Sequence, residues 1–153
     1  MKVKFSLVAL CLVCSSFCFG QSKLFDKYAE MENVTSVYIS KAMFDMMPMI
    51  GDIGLSMTNM KGKVESLQLV STERADQIPQ MRKEFTQLVD KSHQELMRVR
   101  NGKTRTTFYA DMKGDQIKNL LMLADSDSSF TVMQLLGKFT MKDIQEIAKD
   151  IEK

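Results

Sequence analysis

An α+β fold is predicted by this sequence: an antiparallel sheet with a C-terminal four-strand meander, and helices packed on one face. Three observations carry the prediction. From Glu95 to Gly137 four β-rich runs follow one another with turn-forming residues between them. Leu96–Arg100 meets Arg105–Met112 across Asn101-Gly102, a strong hairpin signal. Met112 meets Ile117 across Lys113-Gly114-Asp115-Gln116, and Ala124 meets Ser129 across Asp125-Ser126-Asp127-Ser128. Asn, Asp, Gly and Ser supply the backbone freedom and local hydrogen bonds that such turns need. Two strand-helix units stand upstream, and a helical stripe closes the chain.

Taken in order, Leu24, Phe25, Tyr28 and Met31 recur at three and four residues and form the apolar stripe of a short helix. Asn33 ends it, because Asn tolerates the left-handed conformation at a helix terminus. Val34–Ser40 is a strand rich in Val, Ile, Thr and Tyr; Lys41–Met47 is a helix limited by Pro48. Between Met49 and Lys63 three glycines interrupt the apolar pattern, so a loop or broken helix is expected. Val64–Thr72 is the second strand. Ile78, Met81, Phe85, Leu88 and Val89 then share one helical face, with Asp76 as the expected cap and Pro79 in the first turn. After the meander, Thr140 and Asp143 form a capping pair, and Ile144, Ile147, Ala148 and Ile151 give the last helix its stripe.

The first twenty residues read as a signal peptide rather than as part of the fold. Lys2 and Lys4 give a basic start, Phe5–Val13 an apolar centre, and Cys18-Phe19-Gly20 a peptidase site, leaving Gln21 as the new terminus. The apolar run falls short of the roughly 20 residues of a membrane span, so export without a stable span is expected. Leu10, Val13 and Phe17 precede the three cysteines, where a lipoprotein signal places a small residue. All three cysteines lie in the leader, so the single domain from residue 21 to 153 has no thiol chemistry. Without Lys2 and Lys4 that domain carries 19 basic and 19 acidic residues. A neutral balance argues against a general affinity for nucleic acid.

Phe25 and Tyr28, the run Val34-Thr35-Ser36-Val37-Tyr38-Ile39-Ser40-Lys41 and the closing Leu136-Gly137-Lys138-Phe139 carry a resemblance. In these motifs, and over nearly all of residues 21–153, the chain resembles the exported Bacteroidetes family catalogued as domain of unknown function 4252. The resemblance implies an envelope protein with an α+β fold, and relatives encoded near envelope-stress sigma factors. It implies no catalytic residue, because that family has no established activity.

His93 is the sole histidine; Asp90, Ser92 and His93 are sequence neighbours, which generally point apart and do not form a catalytic relay. One His without Cys makes a zinc site improbable. Asp125 and Asp127 have the first spacing of a calcium loop without its glycine or distal glutamate, and are read as turn residues. Met43, Met46, Met47, Met49, Met57 and Met60 crowd one segment. Thioethers hold Cu(I) outside the reducing cytosol, so a periplasmic Cu(I)-binding protein is one alternative, against the plainer use of Met as adaptable filler. A hydrolase using Asp111, Asp115 and Asp125 is another, although their spacing shows no acid-base pair. No cofactor motif is present.

The leading expectation is a non-enzymatic binding protein of the periplasm or cell surface, whose partner is an envelope protein or a second copy. Even-length turns place Met97, Val99, Thr106, Phe108, Ala110, Met112, Ile117, Leu121, Leu123, Phe130, Val132 and Leu136 on a core face. The other face then gathers Arg98, Arg100 and Arg105 with Tyr109, Leu120, Met122 and Met133, as the candidate binding residues. In that register Asp111 stands opposite Lys118. Aromatic, Met and Arg side chains are the types that interfaces favour.

Overall fold

A computed structural model describes residues 17–46 and 62–151, without the side chains of 17–22 and 147–151. Of the expected leader 1–20, residues 1–16 lie outside the described residues, while residues 17–20 open a helix that runs on past Gln21. Residues 49–61 of the expected loop also lie outside, as do Met47, Met49, Met57 and Met60. Helix α1 (Phe17–Ala29) leads into β1 (Val34–Ser40) and the short α2 (Lys41–Met46). Strand β2 (Val64–Thr72) and α3 (Ile78–Thr86) follow. The meander β3 (His93–Asn101), β4 (Thr104–Lys113), β5 (Gln116–Asp125) and β6 (Phe130–Thr140) ends in α4 (Met141–Ile151). The sheet has six strands in the order β1-β2-β6-β5-β4-β3, antiparallel throughout. The chain thus crosses from β2 to the far edge through α3, and the meander walks back until β6 meets β2.

The turns form close to where expected, but Asn101 still pairs with Thr104, so the first loop is Gly102-Lys103, and Ala124 pairs with Thr131 rather than Ser129. Gly102 and Gly114, each the first residue of a two-residue loop, have positive φ of 58° and 63°, the pattern of type II′ hairpins whose twist suits antiparallel strands. Asn33 sits at φ 64°, in the left-handed region expected of it. Ser126 closes the last turn: its amide donates to the Ser129 carbonyl at 2.9 Å.

Helices serve both faces of the sheet rather than one. Phe25 and Tyr28 of α1 and Ile78, Met81 and Phe85 of α3 form one buried cluster with Val70, Leu121, Leu123, Phe130 and Val132. Phe44 of α2, with Met141 and Ile144 of α4, joins a second cluster around Val64, Leu67, Leu120 and Leu135. These groups lie on opposite sides because consecutive residues of β2, β5 and β6 alternate. The stripe residues Ile147, Ala148 and Ile151 lie outside the described side chains.

The expected face assignment fails at one residue. Met112 pairs with Ile117 but Asp111 pairs with Asn119, so Lys118 is an extra residue in β5 and not the partner of Asp111. A bulge of this kind inverts the alternation. Met97, Val99, Thr106, Phe108, Ala110, Met112 and Ile117 therefore share the α2/α4 face with Leu120, Met122, Met133 and Leu135. Leu121, Leu123, Phe130, Val132 and Leu136 belong to the opposite, α1/α3 face. Further bulges sit at Leu96 in β3 and Glu65 in β2.

Caps and cross-links fix the ends. The Thr140 amide donates to Asp143 Oδ2 at 2.8 Å and the Asp143 amide to Thr140 Oγ1 at 3.4 Å, the expected reciprocal cap. Lys63 Nζ reaches Asp143 Oδ1 at 2.6 Å, tying α4 to the start of β2. The cap of α3 differs from expectation: Gln77 occupies the position without a side-chain bond. Asp76 is instead held by two hydrogen bonds from Arg74, at 2.9 and 2.8 Å. At Gly137 a Cβ would overlap the Lys63 carbonyl, and that same carbonyl accepts the Lys138 amide at 2.8 Å. The closing motif thus needs glycine for a close backbone approach.

Candidate functional site

Cross-strand pairing builds one continuous row on the α2/α4 face. Val37 stands opposite Leu69, Leu69 opposite Met133, Met133 opposite Met122, Met122 opposite Phe108 and Phe108 opposite Met97. Every strand contributes one apolar residue, and none of the six is buried; Met97 is 42% exposed. On one side of the row lie Leu67, Leu135, Leu120 and Ala110, all buried in the cluster that Phe44 and Ile144 complete. On the other lie Thr35, Ser71, Thr131, Ala124, Thr106 and Val99, a mostly hydroxyl-bearing row with Ser71 Oγ and Thr131 Oγ1 at 2.6 Å. The result is a shelf: an apolar floor, a packed helical ledge and a polar lip.

The candidate binding residues do not form one surface. Met122 and Met133 lie side by side in the row, but Leu120 is only 3% exposed and belongs to the ledge. Arg98, Arg100, Arg105 and Tyr109 lie on the opposite face. Tyr109 packs partly against the α1/α3 cluster. Arg98 donates to Glu95 Oε2 at 2.7 Å, and this bond raises its already high pKa further. Arg100 and Arg105 face each other directly across β3 and β4. The sequence concealed this division because Leu120-Leu121-Met122-Leu123 is apolar without a break, so the alternation has no visible phase. The one trace of the bulge is the polar pair Lys118-Asn119 inside an otherwise alternating strand.

Asp90, Ser92 and His93 do meet, contrary to the expectation that neighbours point apart. Ser92 donates to Asp90 Oδ1 through Oγ at 2.5 Å and through its amide at 2.8 Å; His93 Nδ1 lies 3.0 Å from the same oxygen. The Ser92 bonds, with His93 assisting, hold the Asp90 carboxyl below its usual range. A relay would place Ser on one ring nitrogen and Asp on the other. Here both approach Nδ1, while Nε2 is buried without a hydrogen-bond partner among the described residues. This group is a turn lock at the entry to β3.

The three candidate carboxylates are likewise apart. Asp115 lies in the turn before β5, and Asp125 closes the far end of that strand. Asp125 accepts from Arg82 at 2.6 and 2.8 Å, and Asp111 stands opposite Asn119 in mid-strand. Asp127 lies 3.5 Å from Lys103. Met43 and Met46 are 48% and 78% exposed. Among the described residues no three His, Cys, Asp or Glu side chains gather as a metal set. One cleft, of about 320 Å³, opens between α1 and the β1–β2 pair and is lined by Phe25, Asp26, Ser36, Tyr38 and Gln68 among others.

No helix among the described residues is long and apolar enough to cross a membrane. The family model described as domain of unknown function (DUF4252) matches residues 28–147, and the chain belongs to that family. No curated protein and no solved structure matches it.

Proposed function

We propose that this member of the DUF4252 family is a non-enzymatic interaction protein of the bacterial envelope, which seats an amphipathic helix of a partner protein on the shelf of its α2/α4 face. The row Val37–Leu69–Met133–Met122–Phe108–Met97 carries the proposal. Its length, five strand spacings of about 4.8 Å, is about 24 Å, the rise of a helix of roughly 16 residues. One apolar side chain per strand nearly matches one helical turn, so a helix laid across the strands meets an apolar contact at every turn. Met at three of the six positions gives the floor shape adaptability. Export is supported by the leader-like start from Lys2 to Gly20.

Photo-crosslinking in living cells tests the proposal. A crosslinker at Met97 or Met122 is expected to capture one defined protein through an amphipathic helical segment. Met97→Asp combined with Val99→Asp is expected to abolish capture from Met122. A crosslinker on Lys83 of α3, on the far side of the sheet, is the control. Capture of the same protein from Lys83, or capture unaffected by the double substitution, refutes the shelf as the docking surface.

A further inference from the structure

The two edges of the sheet are built differently. Strand β3 is interrupted by the bulge at Leu96 and carries Glu95, Arg98 and Arg100, two of them paired as an ion pair. Bulges and charges are the devices by which edge strands avoid joining other strands. Strand β1 has neither. Val34-Thr35-Ser36-Val37-Tyr38-Ile39-Ser40 contains no charge, proline or glycine, and its register with β2 runs unbroken from Val34–Thr72 to Ser40–Ser66. Its outer backbone groups have no ladder partner among the described residues. Tyr38 projects from this edge, 65% exposed.

We propose that β1 is a dimerisation edge, pairing antiparallel with β1 of a second copy of this chain about a two-fold axis at Val37. Three features favour a second copy over an unrelated strand. First, the edge carries both a projecting group and its receptor. In this register Ser36 faces Tyr38 of the second copy, on the side where the cleft opens between α1 and the strands. Tyr38, which with Ser36 and Asp26 lines the cleft of its own copy, then lies against Ser36 at the mouth of the other copy's cleft. Such reciprocity is the signature of an isologous contact. Second, the charges at the strand ends are complementary. Exposed Glu32, just before β1, and Lys41, just after it, come near each other at both ends of the antiparallel pair, Lys41 while also bonded to Asp45 of its own copy at 2.9 Å. Third, the axis at Val37 joins the two apolar rows end to end, because paired residues in antiparallel strands share a face. The strand edge with these flanks makes a small interface, so a reversible dimer of micromolar affinity is expected.

Sedimentation equilibrium on the purified protein tests this, and the shelf reading stands or falls separately. Wild type is expected to dimerise reversibly in the micromolar range, with β1 amides gaining hydrogen-exchange protection as concentration rises. Ser36→Lys with Tyr38→Lys places four like charges across the axis, and is expected to weaken the dimer at least tenfold while circular dichroism is unchanged. Ser36→Asp with Tyr38→Asp acts likewise. An equal mixture of the two variants is expected to associate again, as a heterodimer. Met97→Asp with Val99→Asp, at the other edge, leaves the dimer intact. A wild type monomeric up to millimolar concentration overturns the proposal. So does a lysine variant that dimerises like wild type, or a mixture that fails to associate.

Discussion

On the α1/α3 face, two helices press Phe25, Tyr28, Met81 and Phe85 onto Val70, Leu121 and Val132, and none of these seven is more than 2% exposed. On the α2/α4 face, burial stops at Leu67, Leu120 and Leu135, and the next row, from Val37 to Met97, stays partly open. The same sheet and similar apolar residues produce one closed face and one unfinished one. The first face is therefore expected to contribute more to stability per residue, and the second is the one on which the proposal above seats a partner. Burying a side chain contributes only where water is removed from it, so the contrast is open to measurement by substitution.

The largest effect is expected at Phe85, whose ring centroid lies 5.0 Å from that of Phe25 and 5.3 Å from that of Tyr28. Phe85→Ala should cost about 3–5 kcal/mol in urea unfolding. Gly137→Ala should cost about 2–3 kcal/mol through backbone displacement at Lys63, and should loosen the α2/α4 face first, read as faster hydrogen exchange in β2 and α4. Asp143→Asn should cost about 1–2 kcal/mol through the cap and the Lys63 bond. Met97→Asp with Val99→Asp should change stability by less than about 1 kcal/mol per site. A loss there as large as at Phe85 would show that the row is internal core.

The Asp143 effect also has a pH signature. Burial pushes its carboxyl up, but the Lys63 hydrogen bond and the Thr140 bonds outweigh this and hold it below the ordinary range. A carboxyl depressed in the folded state stabilises above its unfolded pKa, and this contribution is lost as pH falls through the folded value. The stability difference between wild type and Asp143→Asn should therefore be full at neutral pH and shrink below about pH 4. Glu84 behaves in the same sense, lowered by hydrogen bonds from Lys27 and Gln80, with burial opposing and Tyr28 assisting. The Tyr28 phenol shifts the other way, pushed up by burial and then by Glu84. Glu84→Gln should consequently flatten acid unfolding on the α1/α3 side.

Local chemistry was legible in the sequence, and long-range phase was not. Gly102, Gly114, Asn33 and the Thr140–Asp143 pair announce their conformations because the cause lies within a few residues. Ile78, Met81 and Phe85 of the α3 stripe were legible for the same reason, whereas Leu88 and Val89 pack on the same cluster from the turn after the helix. The bulges at Glu65, Leu96 and Lys118 arise from matching one strand to another, and that information is distributed over both partners. One unread residue, Lys118, moved Leu120, Met122 and Met133 away from Arg98, Arg100 and Arg105. The Asp90–Ser92–His93 lock was missed because a tight turn returns the His93 ring toward Asp90.

The pairing of β2 with β6 also sets an order of assembly. Successive meander strands meet across loops of two or a few residues, so each pairing closes little chain. Ser71 and Thr131 touch across 60 residues, and the entropy of that closure must be met before any contact rewards it. The meander β3–β6 is thus the natural nucleus, and β1–β2 docks onto β6 late. Until it docks, β6 is itself an open edge carrying Val132, Met133 and Leu135. Destabilising substitutions in β4 and β5 should slow folding, while those in β1 should chiefly speed unfolding. The strand available for pairing in the finished fold is then also among the last to arrive.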